Sequence, residues 1–125
     1  MYEVNIPAVV AEVQAQCERY ERALTHNLVD ELDALFWPNP NTIRYGAAEN
    51  LYGYAAIAAF RAQRPSQGLM RTVTKHVVTT YGYDMATSHL EFVKDGQTRV
   101  GRQTQTWLRL AQGWQVVSAH VSWMD

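Results

Sequence analysis

The sequence predicts an α+β domain in which helices gather on one face of a curved antiparallel sheet. Three observations predict it. Apolar residues recur at helical spacing from Pro7 to Phe36; after Gly68 the apolar period falls from about four to two; and Asp95-Gly96 has the composition of a hairpin turn between two such segments.

The first helix is expected from Pro7 to about His26. Val9, Val10, Val13, Cys17, Tyr20 and Leu24 fall on one face, and Pro7 suits a first helical turn because its missing N–H has no intrahelical role there. Glu12, Gln14, Gln16, Glu18, Arg19, Glu21 and Arg22 take the other face. Tyr20 therefore points inward, where its hydroxyl needs a partner. A second, shorter helix buries Val29, Leu32, Leu35 and Phe36 and stops at Trp37-Pro38. A short strand, Thr42 to Tyr45, follows and is closed by Gly46; Gly46 to Asn50 is a turn that Glu49 helps to shape. Tyr54 to Arg61 is alanine-rich, carries Ile57 and Phe60 three residues apart, and is a helix that Pro65 ends. Strands are expected over Met70 to Tyr81, Met85 to Lys94, Thr98 to Leu110 and Trp114 to Trp123.

In the last strand Val117, Ala119, Val121 and Trp123 form an apolar row, which should lie beneath the helices, whereas Trp114, Val116, Ser118, His120 and Ser122 form a mixed one. A three-residue connection, Ala111 to Gly113, places Gln103, Gln105 and Trp107 beside the apolar row. A two-residue connection places Thr104, Thr106 and Leu108 there instead, because a one-residue slip turns every side chain over.

At 125 residues the chain is a single domain, residues 1–125, with no linker or repeat. A net charge of −1 without a basic cluster argues against nucleic acid and anionic membranes as partners. One cysteine, Cys17, excludes an internal disulfide and is expected to be a buried thiol. No stretch has the length and apolarity of a membrane span or the pattern of a signal peptide, so a soluble, cytoplasmic protein is expected. His26, His76, His89 and His120 share no ligand spacing with Cys17 or an acidic pair; no metal site and no cofactor are expected. His120 is expected opposite the helix-side row, in a structural or dimer-interface role. A phosphate loop, a nucleophile elbow and a dinucleotide fingerprint are absent from the sequence.

Arg44 is the odd residue of the first strand. With Ile43 and Tyr45 on one face it occupies the other, either as an edge-strand solubiliser or as a clamp for a carboxylate, which a guanidinium grips with two parallel hydrogen bonds.

Several segments taken together resemble the nuclear-transport-factor-2-like superfamily, a cone of helices on a bent antiparallel sheet with one internal pocket. They are the helix with Tyr20, Ile43-Arg44-Tyr45-Gly46, Glu49 to Gly53 before a helix ending Phe60-Arg61-Ala62-Gln63-Arg64, Val78 to Gly82, Gly101 to Trp107, and Gly113 to Ser122. More narrowly they resemble the AtzH-like group, which includes the oxalurate-catabolism protein HpxZ. The resemblance implies a small hydrolase of N-carboxylated ureas such as 1,3-dicarboxyurea, acting with loss of carbon dioxide in ureide, oxalurate or triazine catabolism. It implies a catalytic pair at the positions of Tyr20 and Arg44, a small carboxylate-bearing ligand, and a homodimer formed through the outer sheet face. Trp37, Gln105, Trp107 and Trp123 are candidates for the pocket wall, although core packing explains the tryptophans equally well. Two other readings stay open: a non-enzymatic accessory module that partners an amidase, and a ketosteroid-isomerase-like proton-transfer enzyme. The latter needs an inward carboxylate, and Asp30, Asp33 and Glu91 are all expected to face solvent.

Overall fold

In the computed structural model, which describes residues 1–125, the chain forms α1 (Pro7–Thr25), α2 (Val29–Leu35), β1 (Ile43–Tyr45), β2 (Asn50–Tyr52), α3 (Tyr54–Gln63), β3 (Arg71–Tyr81), β4 (Met85–Lys94), β5 (Gly101–Leu110) and β6 (Gly113–Trp123). The helices lie on one face of a six-stranded, curved and unclosed sheet of order β2-β1-β6-β5-β4-β3. The sheet is mixed rather than wholly antiparallel: β1 runs parallel to β6, with Arg44 opposite Ala119, and antiparallel to β2. Asn50–Tyr52, expected to lead into a helix, pairs as that short edge strand. Between β4 and β5 the expected two-residue turn is a loop of residues 95–100, so β5 starts at Gly101 rather than Thr98.

Helical spacing sets the core. Val9, Val13, Cys17, Tyr20, Ala23 and Leu24 are the buried face of α1, and they meet Leu32 and Leu35 from α2, Phe36 just beyond it and Ile57 from α3. Each fully buried aliphatic or Phe side chain contributes about 1.5–3 kcal/mol of transfer free energy. Apolar burial therefore supplies the rigidity on which polar groups are mounted. Burial pushes the Cys17 thiol up to about 11, against the opposing effect of a bond to Ser88, so it is an unreactive core group.

The connection between β5 and β6 resolves the register question in an unexpected way. Leu110 pairs with Gly113, the two-residue geometry, yet Gln103 pairs with Val121 and Gln105 with Ala119. A bulge reconciles them: Thr106 is opposite Ser118 and Trp107 opposite Val116, leaving Val117 as an extra residue. The bulge turns the strand over. Trp114 and Val116 face the core below it, and Ala119, Val121 and Trp123 face inward above it, so the expected apolar row keeps its face except for Val117, and the expected mixed row is divided between the two faces. His120 lies on the outer face, its ring 5.5 Å from that of Tyr45.

Gly101 stands opposite Phe92 across β4 and β5, and a Cβ there would overlap the Phe92 ring. The ring is 1% exposed and also meets Trp123 at 5.4 Å and the Arg71 guanidinium at 4.2 Å, so it has no room to swing aside. Gly101→Ala is expected to lower stability by about 1–3 kcal/mol, as overpacking does; a urea melt followed by circular dichroism measures it, and an unchanged midpoint would contradict this packing.

Candidate functional site

A cavity of about 180 Å³ opens between the C-terminal half of α1, the β1–β2 turn, the end of α3 and the inner face of β4 to β6. Tyr20 enters it from α1 because residues 13, 17, 20 and 24 share one helix face. The Tyr20 ring packs 6.1 Å from Phe36. Its hydroxyl borders the cavity and takes no protein hydrogen bond, whereas the Tyr54 hydroxyl donates to Asp33 O and those of Tyr45 and Tyr52 pair with each other.

Arg44 faces inward by strand alternation and is 8% exposed, which rules out the surface-solubiliser role. Its guanidinium lies 5.5 Å from the Phe60 ring centre. Its Nη1 is 3.5 Å from Glu49 Oε1, an ion-pair distance at which no hydrogen bond forms, so that buried nitrogen has no hydrogen-bond partner. Glu49 reaches Arg44 through a tight turn in which Gly46 N–H donates to Glu49 O. The carboxylate folds directly over Gly46, where any Cβ would collide with it. Glu49 is thus more than the turn-shaping residue expected: it is the cavity's own carboxylate.

Arg64 approaches from the end of α3. Pro65 disfavours helical geometry in the preceding residue, and Arg64 is extended at φ −69°, ψ 133°. Its side chain turns into the wall, 5.9 Å from the Phe60 ring centre, with Nε and Nη2 buried and unpartnered. Burial lowers its pKa; Tyr20 opposes that shift, and the charge of Arg44 adds to it. Opposite, Arg71 grips Glu21 bidentately with two 2.8 Å bonds, donates to Gln103 Oε1 at 3.1 Å, and shares the wall with Lys94. Beneath lies Arg61, 2% exposed, 4.1 Å from the Phe36 ring centre and paired at 3.3 Å with Asp33. Asp33 is therefore half-buried and structural rather than fully solvent-facing.

Of the six residues singled out from the sequence, Tyr20, Arg44 and Trp123 line the cavity. Trp37, Gln105 and Trp107 do not. Trp37 is half-buried in the α2–β1 connection with its N–H bonded to Val116 O. Gln105 faces inward between Ser88 and Ala119, and Trp107 beside Ala86, both in the packed core. The bulge at Val117 and the inward residues of β4 leave these two below the cavity floor. Sequence reasoning missed Glu49, Arg64, Arg71 and Lys94; Arg64-Pro65 and the small Gly46 were the local signals for the first two.

Four cationic side chains line the cavity against the single carboxylate of Glu49. Glu49 and Glu21 offset two of the four, which leaves a net of two positive charges. Unpartnered guanidinium N–H groups and surplus charge together suit a small anion carrying one or two carboxylates.

A model of the AtzH-like family matches residues 2–125. The chain is similar to a protein of unknown function from Pectobacterium atrosepticum SCRI1043, with 53% identity over 98% of this chain and 95% of that one and a TM-score of 0.95. It is also similar to a cystatin-like fold protein from Burkholderia xenovorans LB400, with 46% identity over 100% and 98% of the two chains and a TM-score of 0.95. A nuclear-transport-factor-2-like protein from Salmonella enterica, 23% identical over 94% and 92% of the chains at a TM-score of 0.76, shares the fold. A comparison with curated proteins finds no match. No helix is long and apolar enough to cross a membrane.

Glu49 occupies the position an incoming carboxylate would take beside Arg44. Glu49→Gln is expected to raise acetate affinity about two- to fivefold, the scale of a partly exposed ion pair. Isothermal titration calorimetry at low salt measures it, and weaker binding would make Glu49 a ligand contact instead of a competitor.

Proposed function

This chain belongs to the AtzH-like family, and from that premise and the charge of the cavity we propose that it is a small, cofactor-independent amidohydrolase that decarboxylates an N-carboxylated urea such as 1,3-dicarboxyurea. The observation that carries this reading is that Tyr20, Arg44 and Arg64 line one cavity with two surplus positive charges, and that Arg44 and Arg64 each hold buried N–H groups without a protein partner.

The chemistry is modest in its demands. In the reaction the bond from nitrogen to the terminal carboxylate breaks, its electron pair returns to nitrogen, the nitrogen takes a proton, and carbon dioxide leaves. Protonation is the step that needs help, because it withdraws the nitrogen lone pair from conjugation with the carboxylate. Arg44 holds the carboxylate and fixes the orientation. The Tyr20 hydroxyl donates the proton and is reprotonated from solvent. A cavity of about 180 Å³ suits a molecule of this size and is smaller than the roughly 300–1,000 Å³ typical of drug-sized ligands.

The place of Glu49 in the wall favours one second reading, proton transfer with Glu49 as base on a small carbonyl acid. Solvent deuterium exchange at such an acid's α-carbon, lost in Glu49→Gln, would support it over decarboxylation.

Carbon dioxide release from freshly prepared dicarboxyurea, followed by 13C NMR, tests the main reading. Tyr20→Phe is expected to lower kcat by about 10²–10⁴ with little change in KM, and Arg44→Ala to raise KM as well as lower kcat/KM. If neither variant changes turnover, the assignment fails. Absence of turnover, combined with recovery of a stoichiometric amidase in pull-downs, would favour the accessory-module reading.

The same proposal includes a homodimer through the outer sheet face, supported by the exposed apolar side chains Tyr52, Val77 and Met85 and by the outward pairing of Tyr45 with His120. Light scattering after gel filtration is expected to give twice 14.2 kDa, and a monomer mass at micromolar concentration would refute it.

A further inference from the structure

Two arginines in this cavity present the same edge of the guanidinium to opposite circumstances. Arg71 uses its Nε–H and Nη2–H to hold both oxygens of Glu21 at 2.8 Å. Those two N–H groups lie side by side and match the spacing of a carboxylate. Arg64 also lines the cavity, and in it the same pair, Nε and Nη2, is buried and has no partner in the protein. Arg64 also forms no ion pair, whereas Arg44, Arg61 and Arg71 each have a carboxylate within 3.5 Å.

Arg64 is half-buried, and its two buried N–H groups are costly without hydrogen bonds, because their hydration has been given up and nothing in the protein replaces it. Its ring contact with Phe60 is long at 5.9 Å, and an apolar residue would fill that wall without the desolvation penalty. The chain nevertheless turns this side chain inward, using the extended geometry enforced ahead of Pro65. Arg44 and Arg64 lie against the same Phe60 ring and repel each other, a repulsion that a bound anion relieves.

We infer that Arg64 binds the second carboxylate of a dianionic substrate through its Nε–H and Nη2–H edge, while Arg44 holds the first, and that Arg64 thereby sets a preference for doubly over singly carboxylated ureas. The inference rests on the carboxylated-urea reading above. It adds to that reading the residue that discriminates among such compounds. Lysine would supply charge at this position without the two-pronged geometry.

Malonate and malonamate serve as stable probes, sharing a skeleton and differing by one carboxylate. Calorimetric titration of the full chain is expected to show tighter binding of malonate than of malonamate. Arg64→Gln should weaken malonate by about ten- to a hundredfold, the scale of a lost charge-assisted pair, and leave malonamate within about twofold. Arg64→Lys should recover part of the malonate affinity and little of the selectivity. Circular dichroism confirms that each variant is folded, and if Arg64→Gln is not, Arg64→Lys gives the same comparison. Equal binding of the two probes by the wild type, binding of neither, or an equal loss of both in a folded variant overturns the inference. The decarboxylation reading fails separately: a wild type that releases no carbon dioxide from dicarboxyurea but prefers malonate through Arg64 refutes the reaction and keeps the residue's role.

Discussion

Burying guanidinium groups is the constraint around which this domain is arranged. Four arginines approach one small space, and each is held by a different set of neighbours. Arg61 is clamped between Asp33 and the Phe36 ring, and Arg71 between Glu21, Gln103 and the Phe92 ring. Arg44 has a loose carboxylate at 3.5 Å, and Arg64 has neither an ion pair nor a partner for its buried Nε and Nη2. Burial lowers the pKa of both Arg61 and Arg64, the expected response of a charge taken out of water. The buried N–H groups of Arg64 that lack a partner leave the cavity wall less well satisfied than its floor.

Much of this was legible in the residues, because much of it is local. The spacing of Val13, Cys17, Tyr20 and Leu24 places a tyrosine on the inner face of α1 whatever the tertiary structure, and alternation in a three-residue strand separates Arg44 from Ile43 and Tyr45. Pro38 and Pro65 mark where α2 and α3 give way. What escaped the sequence is non-local. Parallel pairing of β1 with β6 joins segments more than seventy residues apart, and a strand of three residues has no pattern that announces its partner. The bulge at Val117 has no compositional mark either; two apolar valines in succession read as one continuous row. The ion pair of Arg71 with Glu21 spans fifty residues, so neither side chain could be recognised as part of a wall. Glu49 hides for a different reason: its neighbours Gly46, Ala47 and Ala48 have the composition of a plain turn, and nothing in that composition shows that the carboxylate folds back over Gly46.

Fold similarity alone is a weak guide to such a site. Neighbours with less than a quarter of their residues in common share this architecture, and one cone can host unrelated chemistry. The distinguishing information sits in a few side chains at the ends of elements: Arg44 on a short strand, Glu49 in a turn, Arg64 just beyond a helix. These positions contribute little to the apolar core, which is built by Trp107, Val116, Phe36 and the inner face of α1. Substitution at them is therefore expected to alter ligand choice at small cost to folding, and Arg64 more so than Arg44, which sits deeper.

The extra residue in β6 gives this separation a physical basis. Below Val117 the strand shows Trp114 and Val116 to the core; above it, the opposite set of alternating positions, Ala119, Val121 and Trp123, faces the cavity. Without the extra residue, both stretches would obey a single parity, and a change of register suited to one would expose the other. With it, the strand is two reading frames joined end to end. Insertions or deletions in the C-terminal frame can remodel the cavity while the tryptophan layer keeps its alignment, so descendants of one stable scaffold can diverge in what they bind.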